Sequence, residues 1–150
     1  MPSINVPEGY SCVLAVATAT TFLNTYQVTN TKRARNAAGI PYPYAYAEKA
    51  EAASNSIVQK FNCAQRAHQN TLEHAPYVLY SLLVTGLKYP YLSAALGISW
   101  VIGRVLYTHS YSTGDPEKRL QPGWLFSSIG QYGLYLTSAF ATCEFVAEGL

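Results

Sequence analysis

A polar helical face that runs directly into an apolar segment constrains this chain more than any other feature. Four polar residues recur at spacings of four, four and three and therefore share one face of a helix: Asn62, Arg66, Asn70 and Glu73. The apolar segment 75–84 follows at once. Charged residues at membrane depth are costly and generally face a partner helix or a ligand. We therefore expect the function to lie at this face, which we call the first polar stripe.

The composition is low in charge. Charged residues make up 12% of the chain and hydrophobic residues 49%, whereas an average soluble domain is about 25% charged. The mean hydropathy of +0.03 is low for a membrane protein because the chain has 13 tyrosines and many Ser, Thr, Asn and Gln residues. A net charge of +2 does not supply the clustered basic surface that nucleic-acid binding needs, so we expect no nucleic-acid partner.

Four segments approach the ~20 residues with which a helix crosses about 30 Å of hydrocarbon: 9–31, 62–87, 91–111 and 123–143. They predict an all-α integral membrane protein whose single domain, 1–150, is a four-transmembrane-helix bundle. The first segment is the weakest, because its second half is rich in Thr and Asn. A soluble bundle of four amphipathic helices is the alternative, but the last two segments do not supply the polar face that it requires.

The connections between these segments predict an orientation. Residues 88–91 suit a tight turn before a proline, and 115–123 suit a short charged loop. The longest connection, 32–61, contains a tyrosine-rich part that we expect to lie extended on the membrane interface. Basic residues cluster in loops that an even number of spans separates, which places these residues on the cytosolic side: Lys32, Arg33, Arg35, Lys118 and Arg119.

A second polar stripe lies on the third predicted helix, where Arg104, Tyr107 and Tyr111 step by three and four. Both stripes lie toward the cytosolic ends of their helices, so we expect them to face one another. The cavity between them suits a small zwitterion, because arginine binds carboxylates in a bidentate manner and Glu73 can receive an ammonium group. The alternative is that these charges form structural pairs between helices.

Cysteines and histidines do not indicate another chemistry. Cys12, Cys63 and Cys143 are far apart and form no C-x-x-C motif, so neither a disulfide framework nor a zinc site is predicted. His68 could act as a base, but His74 lacks metal-site spacing to it. We therefore expect no metal cofactor.

Three motifs resemble the MAPEG family of membrane glutathione enzymes, and within it the type-3 microsomal glutathione S-transferases. They are FNCAQRAHQNTLE at 61–73, GRVLY at 103–107 and YxTGxPxKR at 111–119. The resemblance implies a homotrimer of four-helix protomers that binds glutathione between neighbouring subunits near the cytosolic face. It also implies glutathione-binding roles for one set of residues and a catalytic, thiolate-holding role for Arg119. The glutathione-binding set is Arg35, Arg66, His68, Asn70, Glu73, Tyr107 and Tyr111.

The same resemblance implies an enzyme of the endoplasmic reticulum or another intracellular membrane. Its activity would be glutathione transfer to lipophilic electrophiles, resembling leukotriene C synthase, or glutathione-dependent reduction of lipid hydroperoxides. The alternatives are a non-catalytic lipid-binding or scaffold protein of the same fold and a small channel or transporter subunit. One departure from the leukotriene branch is His74, which stands where that branch has a tyrosine after the glutamate.

Overall fold

Four long helices account for most of the fold. The computed structural model describes residues 6–149, and within that range it contains helices and no strands. The helices are α1 (Tyr10–Ala38), α2 (Lys49–Ser54), α3 (Ser56–Gly86), α4 (Pro90–Tyr111), a 3-10 helix (Pro116–Leu120) and α5 (Pro122–Glu148). The predicted all-α class is confirmed for these residues, while the predicted domain ends, 1–5 and 150, lie outside them.

The long helices match the four predicted segments but extend past them. α1 continues seven residues beyond position 31, and α3 begins six residues before position 62. Much of the connection predicted at 32–61 is therefore helical. Apolar content was used to set the predicted bounds, whereas a helix continues through polar residues until its backbone is stopped. Gly39, with a left-handed φ of 68°, stops α1.

The hydropathy of the helices bears on the prediction that they span a membrane. Within residues 6–149, no helix combines the length and the apolar character needed to cross a membrane.

The segment after α1 folds back onto α3. Arg35 is buried, donates to the Tyr44 carbonyl oxygen at 2.7 Å, and lies 4.6 Å from the ring centres of both Tyr42 and Phe61. Asn62 accepts from the Ala47 amide and donates to its carbonyl oxygen. Tyr42 and Tyr44 keep exposed rings, but the segment is held by polar contacts to two helices rather than lying free.

The core combines an apolar cluster with a buried amide. The apolar cluster includes Val13, Leu82, Trp100 and Leu134, from four different long helices. Gln27 is fully buried and donates from Nε2 to Thr71 at 2.8 Å and to Thr108 at 2.7 Å. It therefore joins α1 to α3 and α4 at one level of the bundle.

Glycines bring α4 and α5 into backbone contact. A Cβ atom placed on Gly130 would come within 2.4 Å of the Leu96 carbonyl oxygen and 2.6 Å of the Trp100 nitrogen. Gly103 and Gly123 meet the opposite helix backbone equally closely. Small residues permit such close approach between helices, and here they place the side chains of α5 directly against those of α4.

Oppositely charged side chains pair at the end of the bundle where α3 is joined to α4. Lys88, in the turn before α4, lies 2.7 Å from Glu148 and 3.7 Å from Glu144 of α5. Tyr89 donates to Glu144 at 2.7 Å, and this hydrogen bond raises the pKa of the tyrosine. Each of these charges has an opposite charge beside it.

Gly130→Ala should destabilise the protein strongly, because the new methyl group meets backbone atoms that cannot move independently. Overpacking of this kind costs about 1–3 kcal/mol, so the thermal midpoint in detergent should fall by several degrees. Gly133→Ala is the matched control on the same helix. Its methyl group would meet only the flexible Leu96 side chain, and its loss should be smaller. Equal losses in the two variants would contradict the backbone-contact argument.

Candidate functional site

The two polar stripes meet at the interface of α3 and α4. Arg104 donates from Nη1 to Asn70 Oδ1 at 2.6 Å. Tyr107 and Tyr111 pack edge to face, with ring centres 5.6 Å apart, against Cys63. The prediction that the stripes face one another is confirmed at Asn70 and Arg104, whereas Arg66 and Glu73 pair with each other instead.

A cavity of about 210 Å³ lies where α3, α4, the 3-10 helix and α5 converge. It contains three of the predicted site residues, Asn70, Tyr107 and Arg119. Its other lining residues are His74, Arg104, Leu120, Trp124, Ser127, Ser128, Gln131 and Tyr132. The cavity therefore combines the predicted thiolate-holding arginine with one residue of the first polar stripe, Asn70, and two of the second, Arg104 and Tyr107.

Arg104 forms the buried wall of this cavity. Only 5% of it is exposed, and its guanidinium lies 5.6 Å from the ring centre of Trp100 and 5.4 Å from that of Tyr107. Nη2 donates to Gln131 Oε1 at 3.4 Å, and Nε is buried with no hydrogen-bond partner. Its hydrogen-bond partners are thus neutral amides, from α3 and α5.

Gln131 also contacts His74, and this contact sets the tautomer of the histidine. Its Oε1 accepts from Arg104, so the amide nitrogen is the group left to donate. Gln131 Nε2 lies 3.2 Å from His74 Nδ1. Nδ1 must therefore accept, which places the proton of a neutral imidazole on Nε2. His74 lines the cavity, and its Nε2–H remains for a ligand.

Arg66 and Glu73 pair with each other along α3. Arg66 Nη1 lies 2.7 Å from Glu73 Oε1, and Nη2 lies 3.3 Å from Oε2. The side chains are 42% and 44% exposed. An ion pair that exposed contributes only about 0–1 kcal/mol. Both groups can therefore exchange this contact for a ligand at little cost in stability.

Five of the predicted site residues do not line the cavity: Arg35, Arg66, His68, Glu73 and Tyr111. Two of them, His68 and Arg35, are held by other parts of the chain. His68 Nε2 is 3.1 Å from Asn24 Oδ1, on the side of α3 that faces α1. It follows Arg66 by two residues, and residues two apart on a helix do not face the same way. Arg35 is held by the segment after α1, as described above. Their roles in glutathione binding stay predictions.

The contribution of α5 was not among the predictions from the sequence. Trp124, Ser127, Ser128 and Gln131 all line the cavity, although the segment carries no charge that would indicate a site. One signal was available in the sequence, because Ser127, Gln131, Leu134 and Ser138 recur at helical spacing. The structure shows that all four are buried.

The chain also matches a known protein family. The sequence model of the MAPEG family matches residues 13–140, from the first turn of α1 to the last third of α5. The chain belongs to the MAPEG family. This family includes glutathione transferases and peroxidases, and its members are generally membrane proteins. The match covers every residue that lines the cavity of this MAPEG protein.

Substitution of Arg66 or Glu73 tests whether this exposed ion pair binds a ligand or only stabilises the fold. We expect Arg66→Ala or Glu73→Ala to weaken glutathione binding by roughly tenfold or more, because a hydrogen bond to a charged group contributes about 1.5–3 kcal/mol. Thermal stability should change little, since the pair is exposed. Calorimetric titration and thermal melts in detergent measure the two effects.

Lys60→Ala is the control for this comparison, because it removes an exposed cation from the same helix outside the stripe. It should leave binding unchanged. Unaltered glutathione affinity in both Arg66→Ala and Glu73→Ala, together with lowered melting temperatures, would assign the pair to structure alone.

Proposed function

We propose that this MAPEG protein is a membrane-spanning glutathione transferase and peroxidase that acts on lipophilic electrophiles and lipid hydroperoxides. The observation that carries the proposal is the convergence of Arg119, Tyr107 and Asn70 on one cavity. These residues come from the 3-10 helix, α4 and α3. The resemblance to type-3 microsomal glutathione S-transferases, with the motifs quoted above, supports the same activity.

Arg119 is the residue that we propose to activate glutathione. A free thiol of this kind has a pKa of about 8.5, and only its thiolate is nucleophilic. A cation within ~4–6 Å favours the charged form and lowers such a pKa by about one to three units. Arg119 is exposed on the 3-10 helix and lines the cavity, so it can approach a ligand from solvent. The Tyr107 hydroxyl is a second donor for the sulfur.

The thiolate would then react in one of two ways. With an epoxide, sulfur attacks carbon, the C–O bond breaks, and the released oxygen takes a proton from water. With a hydroperoxide, sulfur attacks the terminal oxygen and the O–O bond breaks, which yields a glutathione sulfenic acid and an alkoxide. The alkoxide takes a proton from water and becomes an alcohol. A second glutathione displaces water from the sulfenic acid and forms the disulfide. Neither route requires a nucleophile from the protein.

The membrane location, the trimer and the substrate class belong to the proposal. Large apolar side chains are exposed along the length of α5, which supports contact with lipid or with a neighbouring subunit: Trp124, Leu125, Phe126, Ile129, Leu136 and Phe140. Arg66 and Glu73 are exposed in the protomer. If glutathione binds between subunits, these two side chains can contact a glutathione molecule that a neighbouring subunit also binds.

Membrane topology can be measured by cysteine labelling. In a background without the three native cysteines, a cysteine in place of Arg33 or Lys118 should react with an impermeant reagent from the cytosolic side of sealed microsomes. A cysteine in place of Tyr89 should be protected until detergent is added, because two of the proposed spans flank it. Labelling of Arg33 and Lys118 positions from opposite sides would contradict four spans.

Arg119→Ala should cut turnover at neutral pH more than it weakens glutathione binding, because a contact with the thiolate counts toward the reactive state. A rise of about two units in the pKa of bound glutathione reduces the thiolate fraction at pH 7 by roughly twentyfold. Alkaline pH should restore part of the rate, since thiolate then forms unaided. Ultraviolet difference absorbance on adding glutathione reports the thiolate directly.

Lys118→Ala is the matched control for Arg119→Ala, because Lys118 precedes Arg119 on the 3-10 helix but does not line the cavity. It should retain the thiolate signal and the rate. An undiminished signal in Arg119→Ala would remove this residue from thiolate activation. Purified protein that consumes no glutathione with either an epoxide or a hydroperoxide would leave the non-catalytic lipid-binding function instead.

A further inference from the structure

Part of the tyrosine-rich segment after α1 is fixed against the first polar stripe. Asn62, the first residue of that stripe, accepts from the Ala47 amide at 2.9 Å and donates to the Ala47 carbonyl oxygen at 3.2 Å. Arg35 donates to the Tyr44 carbonyl oxygen at 2.7 Å. Tyr46 lies between these two anchored residues in the chain, so its backbone position beside α3 is set from both sides.

The Tyr46 hydroxyl group contacts α3 about two turns beyond Asn62. It donates to Gln69 Oε1, and its oxygen then remains as an acceptor. Arg66 precedes Gln69 by three residues and therefore lies beside it on the helix. The Arg66 guanidinium, which can only donate, interacts with the same hydroxyl group. Tyr46 thus links Arg66 to the anchored segment.

This contact differs in kind from the ion pair of Arg66 and Glu73. The ion pair uses two of the five N–H groups of the guanidinium. It has to open if Arg66 binds a carboxylate of glutathione and Glu73 binds the ammonium group. The Tyr46 hydroxyl is neutral and competes for neither charge. It can therefore keep its contact with Arg66 while glutathione is bound.

We propose that Tyr46 is a positioning residue, which holds the Arg66 guanidinium where it binds a carboxylate of glutathione. The inference rests on the proposed function, because it adds a residue to the proposed glutathione site. The Arg66 side chain is 42% exposed, and a flexible side chain loses conformational entropy when a ligand orders it. Tyr46 removes part of that cost before glutathione arrives. It contacts Arg66 and not the sulfur, so it should affect glutathione binding without changing the chemical step.

Tyr46→Phe removes only the hydroxyl group. It should raise the Kd and the KM for glutathione about threefold to tenfold, which is the usual cost of ordering one flexible side chain. The kcat at saturating glutathione, the KM for a lipid hydroperoxide and the melting temperature should stay unchanged. Calorimetric titration in detergent gives the Kd, and steady-state assays give the kinetic constants. An unchanged Kd, or a loss of kcat in place of a rise in KM, would overturn the proposal.

Tyr44→Phe is the matched control, because it removes a hydroxyl group from the same segment two positions earlier. Tyr44 is 63% exposed, whereas Tyr46 is 37% exposed. The control should bind glutathione as the wild type does. Equal rises in Kd in the two variants would overturn the proposal, since the effect would then belong to the segment as a whole.

A double variant shows whether Tyr46 acts through Arg66. Arg66→Ala alone should weaken glutathione binding by roughly tenfold or more, as above. Tyr46→Phe should add nothing to that loss, because the group that it positions is gone, and substitutions within one network are not additive. Fully additive losses would show that Tyr46 acts independently of Arg66 and would overturn the positioning role.

The same measurements distinguish failure of this proposal from failure of the proposed function. Glutathione binding that is equal in the wild type and in Tyr46→Phe would overturn only the role of Tyr46. Binding that depends on Tyr46, without turnover of an epoxide or a hydroperoxide, would support the positioning role and refute the enzyme. A wild-type protein that binds no glutathione would refute both.

Discussion

The burial of Arg104 is the constraint on which the rest of the site depends. A guanidinium that is 5% exposed has to recover its lost hydration from fixed groups, and these come from three helices. Asn70 supplies an amide oxygen from α3, and Gln131 supplies one from α5. Gly103, Gly123 and Gly130 let the backbones of α4 and α5 touch, and this close approach brings Gln131 within reach of Arg104. The hydrogen bonds that Arg104 makes in the cavity therefore depend on the close backbone contact of α4 and α5.

A second buried polar group fixes how the other helices meet. Thr71 and Thr108 each donate their hydroxyl proton to a backbone carbonyl one turn earlier, so each oxygen accepts from Gln27 Nε2. This assignment sets the orientation of the amide and the level at which α1 meets α3 and α4. Apolar packing is non-directional, whereas such hydrogen bonds have a defined geometry. Asn70 and Arg104 are neighbours of these threonines along the helices, so the same register brings them together.

Charged side chains are arranged differently at the two ends of the bundle. At one end Lys88 lies between Glu144 and Glu148, so opposite charges compensate one another. At the other end the cavity gathers two arginines without a carboxylate on its wall. A compensated cluster holds helices together, whereas an uncompensated one attracts an anion. For this reason we assign a structural role to the Lys88 cluster and a ligand-binding role to the cavity.

Sequence patterns were enough to predict the helical class, the turn at 88–91 before α4, the family and the meeting of the two polar stripes. The stripes could be predicted because helical periodicity fixes which residues share a face. The same periodicity turns His68 away from Arg66 toward α1. The enclosure of Arg35 by the folded-back segment and the contacts of Gln131 with Arg104 and His74 became visible only in the folded chain. These contacts depend on the separation and register of helices distant in sequence, which the periodicity of one helix does not encode.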